Sequence, residues 1–130
     1  MVFFNKLLEQ IHPEGGTLAY LIRFPEHQIL VFGGMNYIER EIAGLEPDVV
    51  LVGAGASRKE IHDYTGRLMR DLHYPPVVLP THWDNFLLPY DASQKPALEA
   101  LQSVLQEIAV ASPKTKVIVP KYFQPIPLAK

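Results

Sequence analysis

The spacing of apolar residues changes repeatedly along this chain, and each change marks an expected element. Near the start, Phe4, Leu7, Leu8 and Ile11 recur at intervals of three and four, which puts them on one side of a short helix. "HPEGG" (12–16) ends it, because proline cannot extend the helical hydrogen-bond ladder and glycine disfavours it. "TLAYLIRF" (17–24) and "QILVF" (28–32), separated by "PEH", are rich in branched and aromatic residues and predict a two-stranded hairpin. After Gly33-Gly34-Met35, Asn36 and Glu39 stand at capping-box spacing before a short helix, "YIEREIAGL" (37–45). Gly44 and Pro47 supply its stop signal.

From residue 48 the pattern alternates between continuous and periodic. "DVVLVGAG" (48–55), "PVVLP" (76–80) and "KVIVP" (116–120) are unbroken apolar runs, the mark of strands with both faces covered. Between the first two, Ser57 and Glu60 predict another capping box and a helix running to about Leu72, with Ile61, Tyr64, Leu68 and Leu72 inward. Between the last two, a helix starting at Asp91 or Ser93 turns Leu98, Leu101, Leu105 and Ile108 inward. The Pro-rich end, "KYFQPIPLAK" (121–130), reads as an extended cover.

A hairpin followed by three helix-to-strand units predicts one α/β domain over residues 1–130, with a mixed sheet and helices on one face. That arrangement leaves a difficulty. The strands are apolar on both sides, yet helices with single apolar stripes cover one. Val50 and Val52 are assigned to the face away from the helices. An uncovered apolar sheet face exceeds what a soluble monomer usually exposes, so a second layer is expected there.

Composition narrows the function classes. A chain of 130 residues with 48% apolar content can bury a core, and a net charge of -2 with no basic stripe argues against nucleic acid or an anionic membrane as partner. No apolar run reaches membrane-span length. The opening "MVFFNKLLEQ" lacks a signal peptide's apolar core and cleavage site, so a cytoplasmic address is expected. The absence of cysteine removes disulfides, thiolate metal sites and thiol nucleophiles together.

Candidate chemistry gathers at strand ends, where open α/β sheets hold ligands. Gly33, Gly34 and Asn36 follow the second hairpin strand, and "GAGAS" (53–57) follows the next. Such stretches allow close approach of a small molecule to the backbone, although neither phosphate-binding glycine pattern is present. "PTHWDNF" (80–86) places His82 and Asp84 beside the single tryptophan, Trp83. His82 has two readings: a metal ligand oriented by Asp84 or Asn85, or a corner residue hydrogen-bonded over a buried Trp83 and Phe86. His62-Asp63, one turn into its helix, either faces the same edge or forms a solvated helix face. His12, His27 and His73 fall in turns or at a helix end and complete no ligand set. No G-x-S-x-G is present, and Ser57 is explained as a cap.

"EGGTLAYLIRF" with "QILVFGGMNYIEREIAGLEPDVVLVGAG", "IHDYTGRLMRDL" and "VVLPTHWDNF" resembles the C-terminal half of metallo-β-lactamase-fold hydrolases over about residues 14–120. The resemblance is nearest to the branch holding the lactonase-like proteins and N-acyl phosphatidylethanolamine phospholipase D. It implies one half of an αββα sandwich, and a metal-binding role for His82 toward zinc or another divalent metal. In that family the metal activates water against ester, lactone or phosphodiester bonds. This chain lacks the H-x-H-x-D-H motif, and Gly34 or Met35 stands where a bridging Asp is expected. The implied reading is therefore a half-domain that is inactive alone, holds no metal tightly and self-associates as a homodimer or higher oligomer. Two alternatives stand beside it: a hydrolase completed by a partner carrying the N-terminal half, and a small-molecule binder.

Overall fold

The computed structural model describes residues 18–128, so the helix expected at Phe4–Ile11 and the break after it lie outside the described residues. The elements run in order β1 (Ala19–Arg23), β2 (Gln28–Phe32), α1 (Glu39–Ile42), β3 (Val49–Gly53), a 3-10 helix (Ala56–Glu60), α2 (Tyr64–Asp71), β4 (Val77–Thr81), α3 (Lys95–Ala111) and β5 (Lys116–Val117). The strands form one mixed sheet in the order β1-β2-β3-β4-β5. β1 and β2 are antiparallel, and every later neighbour is parallel. The α/β class and the mixed sheet agree with the expectation from the sequence.

Topology decides where the helices lie. Each parallel step moves one strand further in the same direction, and such crossovers are almost always right-handed, so α1, α2 and α3 fall on one face. The core confirms the side: Leu30, Val50, Val52 and Val78 cluster with Leu68, Met69 and Leu72 of the α2 segment and with Leu101, Val104 and Ile108 of α3. Strand alternation then assigns the other residues to the opposite face. Cross-strand register lines up Ile22, Ile29, Val49 and Val77 in one row there, and Tyr20, Val31, Leu51 and Leu79 in the next. Val50 and Val52 therefore belong to the helix-covered face, the reverse of the assignment made from the sequence. A buried run alternates faces residue by residue, but composition alone does not say which parity is which.

Both expected capping boxes are absent. α1 is a single turn preceded by Ile38, with no side-chain cap, because the chain stays irregular through Asn36. Ser57 lies inside the 3-10 helix, and α2 begins only after Asp63, which adopts a left-handed backbone (φ 43°). The three residues between these helices redirect the chain and remove His62 from any helix. α3 starts at Lys95, later than Asp91 or Ser93, with Pro96 in its first turn. Its inward stripe is Leu101, Val104 and Ile108, with Leu105 half-buried and Leu98 exposed. β5 is short, although the Ile118 N–H still donates to the Val78 carbonyl at 3.0 Å. Pro120 supplies no donor to carry the ladder further.

Candidate functional site

Because β2, β3 and β4 are parallel, their carboxyl ends meet at one edge of the sheet. β3 and β4 are joined there by the Ala54 N–H donating to the Thr81 carbonyl at 2.7 Å, and by the Thr81 hydroxyl donating to the Val52 carbonyl at 3.2 Å. The glycines at this edge accommodate the chain's own backbone. A Cβ on Gly33 would lie 2.8 Å from the Leu18 carbonyl oxygen, and one on Gly53 would lie 2.6 Å from the Met35 sulfur and 2.9 Å from the Gly34 oxygen. The segment after β2 thus folds down on the end of β3. Gly33 and Gly53 are accounted for by this packing.

The segment after β4 builds the candidate site. His82 is exposed and held in a left-handed backbone (φ 54°), a conformation that non-glycine residues rarely adopt. It lines a cavity of about 360 Å3 with Gly55, Arg58, Lys59, Asp84 and Asn85. Trp83, half-buried, packs against the core from the same segment. The Tyr122 hydroxyl donates to the Asp84 carboxylate, and this hydrogen bond to the carboxylate is the main cause that raises the Tyr122 pKa. Asn85 and Gln94 bond reciprocally: the Asn85 N–H donates to Gln94 Oε1 at 2.9 Å, and Gln94 Nε2 donates to the Asn85 carbonyl at 3.2 Å. The loop is thereby fastened both to the start of α3 and to the C-terminal tail.

Of the residues singled out from the sequence, His82 and Asp84 share this cavity, whereas Gly33, Gly34, Asn36 and His62 do not line it. His62 sits in an exposed turn, where its carbonyl accepts from Arg67 at 3.3 Å. Phe86, expected to be buried, is 85% exposed. Among the described residues no three His, Asp or Glu side chains converge as a metal-ligating group. Zinc needs three or four ligands, and Asp84 is engaged by Tyr122, so the described residues do not by themselves fit the metal that the resemblance implies.

Sequence reasoning missed Arg58. Its side chain is buried, with one nitrogen donating to Glu107 at 2.8 Å and to Ser103 at 2.9 Å. Thr65 completes the group by donating to Glu107 at 2.8 Å. Arg58 also lines the His82 cavity, so α3 is tied by charge to the wall of the candidate site. Nothing in the pattern around Arg58 marks it, because its partners lie 45 and 49 residues away. Tyr64 was expected as core. It also donates to the Gly53 carbonyl at 3.1 Å, and burial pushes its hydroxyl pKa well up. No family model, curated protein or solved structure matches the chain.

Proposed function

We propose that this chain is an association module: the helix-backed layer of a two-sheet assembly, paired face to face with a second copy and without hydrolase activity of its own. The observation that carries the reading is the sheet face away from the helices. Its two cross-strand rows, from Tyr20 and Ile22 across to Val77 and Leu79, are apolar throughout, and the first charge comes at the edge strand, where Val77 pairs with Lys116; Val49 and Leu79 are already buried at the centre. Tyr20 and Ile22 are 46% and 43% exposed. Among the described residues no helix packs on this face, and the Pro-rich tail reaches its β5 edge, where Gln124, Pro125, Ile126 and Pro127 line a shallow cavity with Lys116 and Ile118. Burying apolar surface returns about 25 cal/mol per Å2, and pairing like faces about a two-fold axis is the simplest closed arrangement. Such a pair has the layer order of an αββα sandwich, in line with the resemblance to half of a metallo-β-lactamase fold.

A second reading is favoured by His82, which is exposed at a strand end and lacks co-ligands within the described residues. In it, the second layer belongs to a partner carrying H-x-H-x-D-H, His82 completes its metal site, and the complex hydrolyses an ester, lactone or phosphodiester. Light scattering at low micromolar concentration separates the two. The first reading gives a homodimer that Leu51→Asp converts to a folded monomer. A monodisperse monomer before substitution refutes it, and leaves the partner-completed hydrolase to be tested by metal content after mixing.

A further inference from the structure

A second cavity, behind the His82 segment, has the chemistry of a ligand site. It encloses about 340 Å3 between α3 and the start of the C-terminal tail, and Trp83, Tyr90, Leu98, Leu105, Val119 and Tyr122 supply its walls. That volume is at the small end of the roughly 300–1,000 Å3 typical of small-molecule sites. Most polar groups in its wall are already engaged, the Tyr90 hydroxyl and Gln102 Oε1 excepted. Gln94 is bonded to Asn85, Gln102 Nε2 donates to the Leu98 carbonyl at 3.4 Å, and the Tyr122 hydroxyl is bonded to Asp84. What remains is an aromatic and aliphatic lining with one charge, Lys121, which makes no ion pair among the described residues. No carboxylate is among the lining residues.

We infer that this cavity binds a small aromatic carboxylate, its ring between Trp83, Tyr90 and Tyr122 and its carboxylate toward Lys121. Three aromatic side chains favour a ring by edge and face contacts, and Lys121 is the one charge among the lining residues, the Asp84 carboxylate lying behind the Tyr122 hydroxyl, so the lysine favours an anion over a neutral or cationic end. The Tyr122–Asp84 hydrogen bond fastens the tail beside the pocket, and Tyr90 at its rim makes an edge-on contact with Phe123 (ring centroids 5.3 Å apart), leaving the pocket open to solvent on that side. The site is independent of any pairing between sheet faces, since it lies on the α3 side of the sheet.

Trp83 is the chain's single tryptophan and lines the cavity, so its emission reports occupancy directly. The probe is 3-phenylpropionate, compared with 3-phenylpropanol, which keeps the ring without the charge, and with propionate, which keeps the charge without the ring. The expected result is a saturable change in Trp83 emission with 3-phenylpropionate, binding about three-fold weaker for the alcohol, as suits an exposed charge contact, and no saturation with propionate. Lys121→Gln should bring acid and alcohol together, and Leu98→Phe, which adds volume in the cavity, should weaken both. If Leu98→Phe disturbs folding, amide chemical-shift changes in the unsubstituted protein decide the point. Shifts centred on Leu98, Leu105, Val119 and Tyr122 support the site. Shifts elsewhere, no saturation at millimolar probe, or equal binding of acid and alcohol before substitution would overturn the inference.

Discussion

The two faces of the sheet are built from the same few residue types and have different fates. On the helix side, Leu30, Val50 and Val78 are completely buried, because α2 and α3 bring leucine, methionine, valine and isoleucine against them. On the other side, Val49 and Leu79 are buried outside that core cluster, Ile29, Val31, Leu51 and Val77 are half-buried, and Tyr20 and Ile22 are exposed. Apolar residues are the same on both faces, while charged and hydrogen-bonded ties gather on the helix side. Arg58 with Glu107 and Arg67 with Glu39 pin the helical layer in register. A finished layer couples apolar burial to directional contacts. Among the described residues the other face has the first without the second, which is what the proposed pairing would supply.

The largest expected effect uses two adjacent positions of β3. Val50→Asp places an unpaired carboxylate in the helix-side core, a change costing several kcal/mol, and should abolish cooperative folding by circular dichroism. Leu51→Asp should leave a folded chain and remove self-association. Equal loss of structure in both variants would break the distinction between the faces. Truncation tests the same contrast less severely. Leu68→Ala should destabilise by about 3 kcal/mol through cavity formation, at every protein concentration. Ile22→Ala, at a position 43% exposed in the single chain, should give a loss of melting temperature that depends on concentration, because the contacts it removes are made across the association equilibrium. An Ile22→Ala loss independent of concentration would count against pairing through this face.

The order of elements was legible because it rests on local signals. Gly44 and Pro47 end α1, unbroken runs of valine and leucine mark β3 and β4, and Tyr64, Leu68 and Leu72 form the expected inward stripe. Parity was not legible. Both Val50 and Leu51 are apolar, and only the packing of α2 and α3 decides which of them meets the helices. The capping boxes failed for a related reason: Ser57 and Glu60 have the right spacing, but the chain leaving β3 needs a tighter turn before it can run back as α2. The candidate site was half visible. His82 and Asp84 share a cavity as neighbours in sequence must, while Arg58 and Tyr122 reach it through contacts 38 to 49 residues long, which no local pattern records. Gly33 invited a ligand reading because glycine looks alike whether a ligand or the chain itself makes the close approach, here by the Leu18 carbonyl.

A moderate effect is expected from the tie between the 3-10 helix and α3. Arg58→Met keeps the buried volume and removes the charge-assisted hydrogen bonds to Glu107 and Ser103. Glu107 is 43% exposed and can be rehydrated, so the loss should be about 1–2 kcal/mol and not the larger penalty of a stranded buried charge. Hydrogen exchange should speed up in the 3-10 helix and around Ser103 and Glu107 of α3 and leave β1 and β2 unchanged. Uniform acceleration across the sheet would show that Arg58 supports the whole fold, and the contrast between a tied and an untied face would lose one of its two supports.

The smallest effect is a pH dependence confined to the helical layer. Glu39 accepts from Arg67 at 2.5 Å, and this hydrogen bond is the first cause holding its carboxyl below the ordinary 4.5. Its contribution is present above that ordinary value and is lost as pH falls through the lowered one. Asp71 has the opposite sign. Burial, then the nearby Glu39 charge, raises its carboxyl above the ordinary 3.8, and its Oδ2 is buried without a partner. The stability associated with Asp71 is full below 3.8 and is lost as pH rises through the raised value. Acidification from neutral pH should therefore first raise denaturation midpoints slightly and then lower them. Asp71→Asn should remove the rise, and Glu39→Gln should remove its part of the fall below pH 4.5. Neither substitution should move the association equilibrium, since both groups belong to the helical layer. A shift in dimer dissociation with either one would mean that the two faces are coupled through the sheet.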